Sequence, residues 1–141
     1  VVPRASECFA VGIQVTLFME GDAEIGPLEL ADAGIALDMV ENTLRDYGYI
    51  IALAAGPALL AVRTAGPDLE AERCAALIAA RELSRGLEER PGGCPRLRHR
   101  VRLHVDQARM RHSPVPELIG GRLADFAEWP ESADLGAIET S

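Results

Sequence analysis

Apolar positions along the chain switch between two spacings, and the switches mark the elements. Cys8 to Phe18 is apolar and rich in β-branched residues, which predicts a first strand running past Gly12. After the polar loop MEGDAEIGP, the residues Leu30, Ala33, Leu37, Met39, Val40 and Leu44 fall at helical spacings. They predict a helix that ends at Gly48, with an interruption near Gly34. Tyr49 to Gly66 holds two apolar runs, Ile50, Ile51, Leu53 and Leu59, Leu60, Val62, on either side of Gly56-Pro57, the pattern of a hairpin. Gly66-Pro67-Asp68 then predicts a turn and a helix start, and Leu69, Cys74, Leu77, Ile78 and Leu83 give the second helix its stripe. From Leu97 to Met110 the period becomes two. Leu97, His99, Val101, Leu103 and Val105 alternate with Arg98, Arg100, Arg102 and His104, which predicts a strand. A last helix is predicted from about Arg122, followed by a flexible tail over residues 130–141.

In order these elements read β-α-β-β-α-β-α. The first six have the ferredoxin-like order βαββαβ, so the fold class is α+β, an antiparallel sheet with helices packed on it. The length of 141 residues fits one domain with a single core. Hydrophobic residues at 48% and charged residues at 26% give a globular balance, and no apolar run approaches the roughly 20 residues that cross a bilayer. Arg4, Ser6 and Glu7 interrupt any leader-like segment, so a soluble cytoplasmic domain with no membrane partner is expected. Val1 in place of an initiator methionine points to part of a longer chain.

The net charge of −8 argues against nucleic-acid binding, which depends on neutralising phosphates. All 14 basic residues are arginine, which with the abundance of alanine, glycine and leucine points to a GC-rich, bacterial coding source. Cys8, Cys74 and Cys94 have no paired spacing, so reduced thiols are expected rather than a zinc site or disulfide framework.

Taken together, FAVGIQVTLF, GYIIALAAGPALLAV, VRLHVDQA and ELIGGRLADFAEW resemble, in order and spacing, the class III adenylate and guanylate cyclase homology domain. The resemblance covers about Phe9 to Trp129. Such cyclases hold two divalent cations on two aspartates; the resemblance puts the first on Gly12 and the second on Pro57, 45 positions apart. Glu20 or Asp22 is an alternative for the first acid, at a separation shorter by about eight residues. The base-selecting positions fall on Leu53 and Glu117, the sugar-orienting asparagine on Ala124, and the arginine that stabilises the transition state on Glu128. Because phosphoryl chemistry is mostly positioning and charge neutralisation, losing one such donor costs about a hundred- to thousand-fold in rate. A degenerate member, with no catalytic residue, cofactor or metal, is therefore expected.

Other constellations read as scaffold. His99 falls on the inward face of its strand, His104 matches a family histidine, and the arginines of RLRHRVR form one alternating, solvated face. Cys74 reads as a core residue, and the two glycines of LIGGRL are a weak phosphate-loop signal. The leading function is a noncatalytic regulatory or interaction domain that forms a homodimer through Leu53, Leu59, Ile119, Phe126 and Trp129, with a further protein partner allowed. The alternative is a sensor whose former nucleotide cleft, lined by Leu53, Pro57 and Ala124, takes an apolar or uncharged ligand. A third is an enzyme with relocated acids, Glu20, Asp22 and Glu117.

Overall fold

The computed structural model describes residues 6–90, 92–111, 117–121, 123, 134–135 and 138–140. β1 (Ser6–Met19), α1 (Pro27–Asp46), β2 (Ile50–Ala55), β3 (Ala58–Thr64), α2 (Leu69–Glu89) and β4 (Leu97–Arg111) follow one another. Their sheet order is β2-β3-β1-β4, with every neighbour antiparallel. This is the ferredoxin-like arrangement that the alternation of periods predicts.

Local chemistry fixes the helix ends. α1 begins at Pro27, where a missing N–H is no loss, and the Glu29 carboxylate accepts the Gly26 amide at 3.1 Å. It ends at Gly48, whose φ of +87° suits the left-handed position after a helix. The helix runs unbroken through Gly34, where the sequence predicts an interruption, because one exposed glycine costs a helix only about 1 kcal/mol. At α2, the Asp68 carboxylate accepts the Ala71 amide at 3.1 Å.

Both helices cover one face of the sheet. Val11, Ile13, Val15 and Leu17 of β1 point into that layer with Val101, Leu103 and Val105 of β4. They meet Ala36, Val40 and Leu44 of α1 and Ala76, Ala79, Ala80, Leu83 and Leu87 of α2, at the three- and four-residue steps that put side chains on one helix face. Each fully buried Val, Leu or Ile there contributes about 1.5–3 kcal/mol. The side chain of Asp32 on α1 pairs with Arg90 beyond α2 at 2.6 Å and accepts the Cys94 amide at 2.7 Å. That pair is almost fully buried and locks the 90–96 connection onto α1. The same loop is held by Arg96, which donates to Glu29 at 3.0 Å.

The opposite face carries a second, smaller cluster of Ala10, Leu60, Val62, Ala108, Met110 and Leu123. It forms because β5 (Glu117–Gly120), which the sequence pattern does not predict, pairs antiparallel with the end of β4 and turns back over the sheet. The turn depends on Gly121, at φ +93°, since a Cβ there would lie 2.8 Å from the Ala108 Cα. The helix predicted from Arg122 lies outside the described residues, apart from Leu123. Where a flexible tail is predicted, β6 (Asp134–Leu135) and β7 (Ile138–Thr140) pair with each other, and β7 lies parallel to β4 at Val101–Leu103. Among the described residues no helix is long and apolar enough to cross a membrane.

Candidate functional site

Sheet register decides which candidate residues can act together. β1 pairs with β3 from Ala10↔Thr64 to Thr16↔Ala58, and the Leu17 amide donates to the Pro57 carbonyl at 2.9 Å. The hairpin tip therefore stands beside Thr16, Leu17 and Phe18. Gly12, which the sequence places with Pro57 as a metal-binding pair, sits mid-strand between Val62 and His104. Five residues of strand separate it from the tip, or ~17 Å at the usual rise. Carboxylates at those two positions could not share a pair of metals ~4 Å apart, so the register corrects the pairing of Gly12 with Pro57. No residue of β1 beside the tip is an acid. Glu20, the alternative first acid, lies just beyond the strand and pairs through its carboxylate with Arg98 at 2.8 Å, while its carbonyl accepts from Arg96 at 3.0 Å. Pro57 offers no side-chain ligand, and Gly56 supplies the turn with φ +57°. The residues present here do not fit the cation pair that the resemblance implies. Among the described residues, no three of His, Cys, Asp and Glu converge as a metal cluster requires.

The remaining sequence candidates are scattered. Leu53 is exposed on the outermost strand, and Glu117 is an exposed partner of Arg111 at 3.5 Å. Ala124, Phe126, Glu128 and Trp129 lie outside the described residues. Leu59, expected at an intersubunit surface, is only 4% exposed and belongs to the helix-side core, which removes it from any surface patch. Leu53 and Ile119, by contrast, are 46% and 41% exposed. Cys74, expected in the core, is exposed; with Val11, Ala76, Leu77, Leu103 and Val105 it lines a cavity of about 230 Å³. Cys8 is half-buried, and burial pushes its thiol up. Gly121 of LIGGRL serves the close approach to β4 already described, rather than a phosphate loop.

His99 does face inward, as alternation predicts. Its Nε2 lies 2.5 Å from the Ser84 hydroxyl, and burial lowers its pKa from the ordinary histidine value. His104 is buried beside Gly12 on the opposite face, with its Nε2 3.0 Å from the Asp106 carboxylate. At the base of the hairpin, burial pushes the Tyr49 phenol up to about 12, and the Arg63 guanidinium lies 5.9 Å from that ring.

A feature that sequence reasoning passed over lies beside the tip. Cross-strand pairs Gln14↔Arg102 and Thr16↔Arg100 stand on the face away from the helices, with Phe18 next along. These five residues line a cavity of about 400 Å³, in which Arg102 donates to the Gln14 amide oxygen at 3.2 Å. The arginine alternation is visible in the sequence. The register that sets it against Gln14, Thr16 and Phe18 is not.

No protein-family profile matches the chain, and no curated protein matches it. Solved structures do. The monomeric guanylyl cyclase domain of the RhoGC fusion protein from the aquatic fungus Blastocladiella emersonii superposes with a TM-score of 0.63 at 14% identity, over 88% of this chain and 75% of that one. The adenylyl cyclase CyaB from P. aeruginosa gives 0.64 at 11% identity, over 87% and 70%. A bacterial light-regulated adenylyl cyclase gives 0.64 at 13% identity, over 96% and 76%. The fold of this chain is thus the cyclase catalytic-domain fold, as the sequence motifs lead one to expect. The RhoGC domain is also known as a non-canonical dimer, which superposes with a TM-score of 0.57 at 13% identity, over 84% of this chain and 71% of that one.

Proposed function

We propose that this chain is a noncatalytic, cyclase-like domain with a regulatory or protein-interaction role that works as a homodimer. One observation carries the reading: the hairpin tip is Gly56-Pro57, and the stretch of β1 alongside it, Thr16 to Phe18, contains no carboxylate. Without acids at that junction, two cations have nothing to hold them where a triphosphate would be attacked. The next acid along the chain, Glu20, is engaged with Arg98 instead. Leu53 in place of a base-selecting lysine, and Glu128 in place of a transition-state arginine, point the same way.

The chain should therefore form no cyclic nucleotide from ATP or GTP with magnesium or manganese, and product above a no-protein blank rejects the reading. The dimer is tested separately. Exposed Leu53 and Ile119 favour association, and Phe126 and Trp129 are proposed as further interface residues. Sedimentation should show a dimer, and Trp129→Asp should shift it toward monomer by placing a charge in a desolvated contact. A wild-type monomer at high micromolar concentration overturns that part.

A further inference from the structure

We propose that the outward face of the first half of α1 is a docking surface for a cationic amphipathic helix of another protein. The surface does not include Leu53 or Ile119, and the inference stands whether or not the domain turns over a nucleotide.

The first observation is an inversion of the usual helix pattern. Ala36, Val40 and Leu44 bury one face of α1 against the sheet, so Leu28, Ala31, Ile35 and Asp38 on the opposite face point to solvent. In a helix packed on a sheet such positions are ordinarily polar. Here Leu28 is 86% and Ile35 59% exposed, and Ala31 between them is exposed as well. Ile25, one residue before the Gly26 cap, is a further exposed apolar side chain at that end. Leu28, Ala31 and Ile35 follow the i, i+3, i+7 steps by which one helix reads another, over two turns that rise about 10 Å. At Gly34, beside them, an added Cβ would meet nothing within 4 Å, so a second backbone can come close. α2 offers the contrast. Its exposed Ile78 stands alone, with Arg81, Glu82 and Arg85 at the helical steps after it, and a single apolar residue of that kind is ordinary surface.

The second observation, charge, selects the partner. Asp22 and Glu24 lie in the loop before α1, and Asp38 lies about one turn beyond Ile35; all three are exposed, and among the described residues none of them makes an ion pair. The arginines around the start of α1 are by contrast already engaged, Arg90 with Asp32, Arg96 with Glu29 and Arg98 with Glu20. Carboxylates without a counter-charge therefore stand before and beyond the apolar stripe, in a chain of net charge −8. A second copy docking by the same face would set like charges against one another, and an anionic lipid surface would be repelled. A helix with an apolar stripe flanked by Lys or Arg meets both features. Its hydrocarbon covers Leu28 and Ile35, and its long cationic side chains reach out to the carboxylates.

The test uses the full chain and a fluorescent synthetic peptide of roughly 14 residues, with leucine along one helical face and lysine on the other, titrated by fluorescence anisotropy at low salt. One control peptide has the same composition with the two residues shuffled around the helix, and a second has glutamate in place of lysine. The cationic amphipathic peptide should bind saturably, about tenfold or more tightly than either control. Leu28→Ser/Ile35→Ser should weaken it by about tenfold through lost apolar burial. Should that double variant not fold, Leu28→Ser alone, at the more exposed position, should weaken it in the same direction. Asp22→Asn/Glu24→Gln/Asp38→Asn should weaken it by about three- to tenfold and flatten its dependence on salt, whereas Ile78→Ser on α2 should leave it unchanged. No saturable binding by wild type, equal binding of either control peptide, or undiminished binding by the α1 variants overturns the proposal. A dimer that dissociates in Leu28→Ser/Ile35→Ser also overturns it, because this face would then be the contact between copies.

Discussion

The two faces of one sheet are built on different rules. On the helix side, Val11, Ile13, Val15 and Leu17 of β1 and Val101, Leu103 and Val105 of β4 meet the helix stripes, so the free energy is chiefly that of buried hydrocarbon, with His99 the polar exception on that face. On the other side, the same strands present Gln14, Thr16 and Phe18 against Arg98, Arg100 and Arg102, and among the described residues a small cluster closes the end near Ala10 and Met110. Strand alternation forces this division, because neighbouring residues point to opposite faces and cannot share a role. The helix side secures the fold, while the other side carries the polar and arginine side chains of the same two strands.

If that division is right, substitutions should sort by face. Leu83→Ala on α2 removes a side chain only 2% exposed in the main core and should cost about 2–5 kcal/mol in urea unfolding. Asp32→Asn breaks the buried pair with Arg90 and should cost about 2–3 kcal/mol by the same measurement, since a charged partner is left behind. A loss below about 0.5 kcal/mol at either position would mean that the helix side is looser than its burial implies.

A smaller effect is expected from pH. Burial beside Ser84 lowers the folded pKa of His99, with Glu88 partly opposing and Arg90 reinforcing that shift. Its neutral form is favoured in the folded chain, so its contribution is fully present above the unfolded value near 6.5 and is lost as pH falls toward the lower folded value. Wild type should therefore lose melting temperature between pH 7.5 and 5.5, and His99→Gln should lose less. Equal slopes would remove His99 as the cause. The smallest effect belongs to the open face. Arg98→Ala breaks an exposed pair with Glu20 and should change stability by less than about 0.5 kcal/mol, as read from the same unfolding curves.

Much of the fold was legible in the sequence because period is a physical signal. The steps Ala36, Val40, Leu44 and the alternation of Leu97 to Val105 each report a face, and the Gly56-Pro57 turn was equally plain. The site was less legible. A motif match set Gly12 opposite Pro57, whereas a hydrogen-bonded register moves the tip five residues along β1, and register is a long-range property that local pattern does not carry. Leu59 looked like surface because its run is apolar on both faces, and a continuous run does not say which face is inward. Cys74 follows the same logic in reverse, since a small residue near a stripe can sit at its margin. β5 escaped notice because its four residues pair only with the far end of β4.

The outermost strand β2 bears on how the chain behaves when crowded. Its exposed tract Leu53, Ala54 and Ala55 is uncharged, and a flat edge of that kind can template the addition of another copy and grow into fibrils. Two irregularities interrupt it. The register slips between Ile51 and Leu53, and Pro57 at the tip has no amide hydrogen to offer an incoming strand. A chain with the extra residue Ala52 removed and Pro57 replaced by a hydrogen-bonding residue would present a longer, straighter edge, and its shelf life in concentrated solution would shorten before any change in folding was measurable.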